Sequence, residues 1–162
     1  MRSFSQRILA GVLLAGVLVT AGCAKNFIPN TDVEETDLNR KVIQYCEDYR
    51  RAVERRNIAY LLKNAHPSYY EDGATIDTSD DLDFAGLEKY LAAKFRFATA
   101  IRYEIHYRNV TQGRKDTIFV DFTYSASYKL PDGEVEVWHR EVQDNQLVLV
   151  ASGDTFKILA GM

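Results

Sequence analysis

The hydrophobic period of this chain changes near Ala98, and this change restricts the fold more than any other feature. Between residues 38 and 53, apolar residues recur every three or four positions, as on one face of an α-helix. From Ile101 onward they alternate with polar residues, as in strands that bury one face. We therefore predict an α+β domain in which three N-terminal helices pack on one face of an antiparallel sheet.

Capping and turn residues bound the predicted elements. Thr36 or Asp37 can cap the first helix, and Asn57 lies where it should end. A second helix is predicted over residues 58–65, where His66-Pro67 ends it, and a third over residues 84–95. Turns are expected at 112–113 and at 131–133, with an acidic loop at 77–83. The predicted strands cover residues 101–108, 118–128, 134–142, 147–150 and 156–159.

The first 22 residues have the layout of a secretory signal. Arg2 and Arg7 are followed by an uncharged apolar stretch, residues 8–19, and then by small residues. Residues 8–22 number only 15, whereas a membrane-spanning helix needs about 20 to cross a hydrocarbon core of about 30 Å. We therefore predict a cleaved leader, with an uncleaved anchor as the alternative.

Residues 19–23, Val-Thr-Ala-Gly-Cys, resemble the bacterial lipobox, although Thr20 stands where that motif prefers Leu. The resemblance implies that Cys23 is lipid-modified and is the first residue of the mature chain, with acyl chains that anchor it stably in a membrane. The residue after Cys23 is Ala24 rather than Asp, which, by resemblance to the sorting of enteric lipoproteins, implies the periplasmic face of the outer membrane. If the protein were simply secreted, a Cys23–Cys46 disulfide would be the alternative. With Cys23 lipidated, Cys46 has no cysteine partner and should be buried in the first helix.

From Cys23 onward the chain suits one domain, predicted over residues 37–162 and preceded by a tether at 23–36. The leader holds two of the 20 basic residues and none of the 23 acidic ones, so the remaining net charge is −5. This acidic balance argues against a nucleic-acid partner, which requires a basic surface. Four arginines between residues 50 and 56 are interleaved with acids, which favours a solvated helix face.

The order of elements in residues 38–162 resembles the nuclear transport factor 2-like superfamily, also called the cystatin-like α+β cone. The resemblance is carried by the long first helix, the His66-Pro67 pair, a helix opening at Gly86, and a closing strand at 154–159. Phe156 departs from that pattern, where Trp is commoner. The resemblance implies a curved sheet that encloses a conical cavity with the helices, and a helices-then-sheet fold of another topology is the alternative. Because members include both enzymes and ligand- or partner-binding proteins, it leaves the function open.

A cone with enzymatic activity needs an acid or base and a hydrogen-bond donor in a dry pocket. His139 shares the parity of Val135 and Val137, which predicts an inward side chain, and Glu141 shares that parity. We keep His139 and Glu141 as candidates for catalysis or ligand contact, while Asp121 should be exposed. Tyrosine also packs well in strands without any catalytic role. The predicted ligand-binding residues are Tyr49, Tyr103, Tyr124 and His139, with Tyr45, Tyr107 and Tyr128 as further inward candidates.

We expect no cofactor or metal, because the three histidines have no zinc-ligand spacing and phosphate-binding glycine motifs are absent. Our main hypothesis is a non-catalytic lipoprotein that binds a small apolar ligand or an envelope protein. The alternative is a cone enzyme of the isomerase, dehydratase or epoxide-hydrolase type. Three apolar residues lie on the strand face opposite the inward residues: Phe119, Trp138 and Val142. The outer face of the sheet is therefore also a candidate homodimer interface.

Overall fold

The computed structural model describes residues 25–73 and 81–162. The predicted leader and Cys23 therefore lie outside the described residues, as does most of the predicted acidic loop. Within the described ranges, no helix has the length and apolar character needed to cross a membrane. The helices are α1 (Asp37–Glu54), α2 (Ile58–Asn64) and α3 (Phe84–Phe95), and the strands are β1 (Tyr70–Glu71), β2 (Leu82–Asp83), β3 (Ala100–Gln112), β4 (Thr117–Asp132), β5 (Val135–Ser152) and β6 (Thr155–Ala160).

The three helices begin where capping side chains predict. Thr36 Oγ1 accepts a hydrogen bond from the backbone N–H of Asn39 at the start of α1. Asp83 Oδ1 accepts from Gly86 in the same way at the start of α3. Asn57 does not simply follow α1, because its side chain caps α2. The apolar stripe of α1 is buried, including the free thiol of Cys46, which is fully inaccessible.

The main sheet has the antiparallel order β3-β4-β5-β6, and the helices cover one of its faces. A register shift lies between Tyr107 and Asn109 on β3, and another between Val148 and Leu149 on β5. Such irregularities bend strands, which fits the curvature of this sheet. The predicted fold is confirmed: helices pack on a curved antiparallel sheet, and the core lies between them.

Two strand predictions differ from the structure. Residues 134–142 and 147–150 were expected as separate strands, but β5 runs through both as a single strand of 18 residues. The expected turn at 131–133 is also displaced, since β4 continues through Pro131 and the chain turns at Gly133, whose φ is +62°. The polar residues between 142 and 147 therefore do not interrupt pairing; they form ladder pairs with β4.

The segment predicted as a tether is folded over most of its length. Phe27 pairs with Glu34 in an antiparallel bridge, and the Glu35 N–H donates to the carbonyl oxygen of Asn26 at 2.7 Å. Val33 is 2% exposed and belongs to the hydrophobic core. Asp32 donates its backbone N–H to the Tyr107 carbonyl on the edge strand β3. Residues 26–36 are thus a packed part of the domain rather than an extended spacer.

Side chains of α1 bind the backbone of β3, the edge strand of the sheet. Arg50 Nη1 donates to the Tyr103 carbonyl oxygen at 3.1 Å, and the Tyr103 N–H donates to Glu54 Oε1 at 3.1 Å. Arg50 also forms ion pairs with Glu47 and Glu54, each at 2.9 Å. This face of α1 is therefore only partly solvated, because Arg50 and Glu54 also bond the backbone groups of an edge strand.

Candidate functional site

A cavity of about 510 Å³ opens between the helices and the concave face of the sheet. Its volume lies within the range typical of small-ligand pockets. The helices contribute one wall. The other wall consists of residues of β3, β4 and β5 whose side chains lie on the same face of the sheet. The lining residues are Tyr49, Val53, Leu61, Tyr90, Leu91, Ala93, Lys94, Phe95, Phe97, Ala98, Ile101, Tyr103, Tyr124, Ala126, Tyr128, Leu130, Glu141, Asn145 and Met162.

The cavity wall is largely apolar, and the one side-chain carboxylate among its described lining residues is that of Glu141, with Lys94 and Asn145 as further polar side chains. Glu141 lies on β5 opposite Ala126 of β4, and its Oε1 accepts a hydrogen bond from the Tyr124 hydroxyl at 2.9 Å. Burial, followed by this hydrogen bond and the charge of Glu141, raises the pKa of Tyr124 to about 12. Tyr124 therefore stays protonated at neutral pH and holds the carboxylate in place.

Glu141 and Tyr124 form a polar strip in the cavity wall, and two further tyrosines extend this strip into the protein. The rings of Tyr103 and Tyr124 are 5.3 Å apart, and Tyr49 meets Tyr103 edge-on with centroids 6.5 Å apart. Burial and the neighbouring Tyr103 raise the pKa of Tyr49, while burial and the neighbouring Tyr124 raise the pKa of Tyr103. All three hydroxyls thus remain neutral hydrogen-bonding groups within an aromatic wall.

The structure places Tyr49, Tyr103 and Tyr124 together in the cavity, but it does not bring His139 there. His139 is exposed, lies opposite Tyr128, and stacks on that ring with centroids 5.7 Å apart. It shares the face of Glu141 but is not among the described residues that line the cavity. Of the two candidates His139 and Glu141, only Glu141 therefore lines the cavity, and their role in catalysis or ligand contact stays a prediction.

The other sequence candidates have structural contacts outside the cavity, except Tyr128, which lines it. Tyr107 donates its hydroxyl to Glu47 at 3.0 Å, and Tyr45 packs edge-on against Phe156. Asp121 is half-buried on the outer face and accepts a hydrogen bond from Gln146 Nε2 at 2.6 Å. Tyr107, Tyr45 and Asp121 therefore stabilise the fold rather than line the cavity.

Apart from Tyr49, the sequence did not indicate the lining residues that come from outside the strands. Tyr90, Lys94 and Phe97 belong to α3 and the loop after it, and Met162 reaches the cavity from the C-terminal end. The Met162 N–H donates to the Tyr69 hydroxyl at 3.2 Å. The amphipathic run of α3 gave a signal for burial, but nothing in the sequence indicated which part of that helix faces a cavity rather than solid core.

The outer face of the sheet carries the residues predicted for a dimer interface. Trp138 and Val142 are 43% and 55% exposed, whereas Phe119 is half-buried. The Arg102 guanidinium lies over the Trp138 ring, 4.8 Å from its centroid. The dimer itself stays a prediction. Within residues 25–73 and 81–162, no cluster of three or more His, Cys, Asp or Glu side chains is arranged to hold a metal ion.

No protein-family model and no curated protein sequence matches this chain. Solved structures do match it. A proposed calcium/calmodulin-dependent protein kinase II association domain from Xanthomonas campestris is 14% identical, with a TM-score of 0.61, 85% of this chain covered and 90% of that one. A proposed dehydratase of the nuclear transport factor 2-like family from Streptomyces avermitilis is 13% identical, with a TM-score of 0.60 and coverages of 76% and 92%.

A proposed scytalone dehydratase from Novosphingobium aromaticivorans is 9% identical, with a TM-score of 0.61 and coverages of 76% and 80%. Identities this low carry the fold and not the activity. Together with the helix order, the curved four-stranded sheet and the enclosed cavity, these likenesses show that the chain has the nuclear transport factor 2-like α+β cone fold.

Proposed function

We propose that this chain is a membrane-anchored lipoprotein whose cone domain binds a small, largely apolar ligand and does not transform it. The observation that carries the binding proposal is the cavity of about 510 Å³, with aromatic and aliphatic walls around one short polar strip. The anchor proposal depends on the lipobox-like residues 19–23. In this arrangement Cys23 holds the domain at the periplasmic face of the outer membrane.

The polar strip indicates what the ligand carries. Glu141 and the Tyr103 hydroxyl both line the cavity, one as an acceptor and one as a hydrogen-bonding hydroxyl. A ligand hydroxyl or amine can donate to the Glu141 carboxylate, and a ligand oxygen can accept from Tyr103. The body of the ligand then packs against apolar residues such as Val53 and Ile101. We therefore expect an apolar molecule with a single hydroxyl or amine group.

Binding is tested with the neutral fluorescent probe N-phenyl-1-naphthylamine and two variants at adjacent positions of β4. Ala126→Phe adds a ring inside the cavity, whereas Ser127→Phe adds the same ring on the other face of the sheet. We expect Ala126→Phe to abolish probe fluorescence and Ser127→Phe to retain it. Equal binding by both variants, with both folded by circular dichroism, would contradict a cavity site.

The anchor is tested by labelling cells with a fatty-acid analogue. Incorporation is expected in the wild-type chain and lost in Cys23→Ser. A Cys46→Ser variant is the matched control, because Cys46 is buried in α1 and should not affect labelling. Label that persists in Cys23→Ser would refute lipidation at Cys23.

A second candidate function is a cone enzyme, and the Tyr124–Glu141 pair favours it. A carboxylate beside neutral phenols has the components of a base and a donor for developing negative charge. Two of the similar structures are described as proposed dehydratases. However, Glu141 Oε1 already accepts the hydrogen bond of the Tyr124 hydroxyl, so a substrate would have to use the other carboxylate oxygen or displace that bond. Turnover of a hydroxylated aromatic ketone that falls by roughly 100-fold or more in Glu141→Gln would favour the enzyme over the binder.

A further inference from the structure

The folded N-terminal segment leaves almost no free chain between Cys23 and the domain. Lys25 forms an ion pair with Glu34 at 3.3 Å, and the next residue, Asn26, accepts the hydrogen bond from Glu35. Only Ala24 separates Cys23 from Lys25. Two residues of extended chain reach about 7 Å, so a lipid on Cys23 would hold this part of the surface close to the headgroups.

The attachment point lies beside the N-terminal end of α1. Glu35 directly precedes the N-cap of α1, and α1 runs alongside β3 in the opposite direction, since Glu47 bonds Tyr107 while Glu54 bonds Tyr103. The start of α1 is therefore level with the C-terminal end of β3. The β3–β4 turn, residues 113–116, lies at the same end.

Three exposed lining residues of the cavity, Ala93, Lys94 and Phe97, precede β3 and lie toward the opposite end, so the mouth of the cavity is there. The loop after α1 contacts the mouth, because the Arg56 guanidinium donates to the carbonyl oxygen of Ala98, a lining residue. Phe97 beside it is 61% exposed, and the β4–β5 turn at Gly133 projects beyond the start of β3. The 18 residues of α1 separate the two ends by about 27 Å.

We propose that the end of the domain formed by residues 25–28 and the β3–β4 turn rests on the bilayer, and that the cavity opens away from it. This proposal depends on lipidation of Cys23, which belongs to the proposed function. Phe27, which is 52% exposed at this end, is placed to enter the headgroup region. The cavity then exchanges its ligand with the aqueous side rather than drawing it from the lipid beneath.

The orientation is tested on the lipidated full-length protein in phosphatidylcholine vesicles with brominated acyl chains, which quench tryptophan at short range. Trp138 is the single tryptophan, and it pairs with Lys129 at the mouth end of the sheet. We expect quenching of Trp138 by less than about a tenth, since α1 alone separates the two ends by about 27 Å. The double variant Phe27→Trp/Trp138→Phe carries its only tryptophan at the attachment end, and it should lose most of its fluorescence.

A linker insertion provides the matched control. Twenty Gly/Ser residues inserted after Ala24 give the domain a root-mean-square reach of about 25 Å, so the quenching in the double variant should disappear while vesicle binding persists. Equal quenching in the wild-type chain and the double variant, or quenching of the double variant that survives the linker, would overturn the orientation. A wild-type chain that fails to float with vesicles would instead refute the anchor, and probe binding to the cavity reports separately on the ligand site.

Discussion

Val33→Ala tests whether the N-terminal segment is part of the folded domain. Val33 is 2% exposed in the core, and its backbone N–H donates to Thr31 Oγ1 at 3.1 Å. The substitution removes two buried methyl groups, each worth about 0.8 kcal/mol in transfer free energy, and leaves a small cavity. We expect the free energy of unfolding to fall by about 2 kcal/mol. A segment that behaved as a free tether would show almost no change.

The assay is urea unfolding of the chain without its leader, followed by circular dichroism. With a slope of about 2 kcal/mol per molar urea, the midpoint should fall by roughly 1 M. Val135→Ala is the matched control, because Val135 is 62% exposed and its truncation should cost less than about 0.5 kcal/mol. Equal midpoints for the two variants would refute the packing of residues 26–36 and, with it, the short tether on which the proposed orientation depends.

Three further predictions concern the C-terminal glycines and the titrating groups. Gly161→Ala should cost about 2 kcal/mol or more and weaken probe binding, because φ is +94° and a Cβ would overlap the Gln146 carbonyl oxygen. Gly153→Ala, with φ at +62° and no atom within 4 Å of its Cβ, is the control and should cost about 1 kcal/mol in urea unfolding. The raised pKa of Tyr124, about 12 against an unfolded value of 10.0, contributes stability below pH 10 that is lost as the pH rises toward 12. Absorbance at 295 nm should therefore show tyrosine ionisation delayed until unfolding, and early ionisation of most tyrosines would contradict the buried strip. Burial raises the pKa of the Cys46 thiol, so Ellman's reagent should react with it only in unfolded protein.

Most of the fold could be predicted because its signals are periodic. The stripe of α1 and the alternation of β3 and β4 each extend over many residues, and capping side chains mark the helix starts. The N-terminal segment has no such period. Its burial depends on two contacts distant in sequence, those of Asp32 with Tyr107 and with His106, which no local pattern encodes.

The displaced turn at Pro131 has a similar cause. Proline is unfavourable inside a sheet because it lacks an N–H, which favours a turn at this position. However, β3 begins at Ala100, opposite Lys129, so among the described strands β4 has no neighbour on that side at Pro131. β4 is therefore an edge strand at this point, where proline is tolerated, and it continues to Asp132. The predicted turn at 131–133 was displaced because its position depends on where β3 begins relative to the end of β4. The residues around Pro131 do not encode that relation.

The separation of His139 from Glu141 shows what strand parity can determine about a site. Parity assigns both side chains to the concave face, and the pairings Tyr128 with His139 and Ala126 with Glu141 agree with that assignment. Two residues along a strand amount to nearly 7 Å, and on β5 the lining of the cavity ends between these two positions, whereas on β4 it continues through Tyr128 to Leu130. Glu141 is half-buried and lines the cavity, whereas His139 is exposed and does not. Glu141 is therefore without a histidine beside it among the described lining residues, and this arrangement is the main structural reason that we propose binding rather than acid–base catalysis.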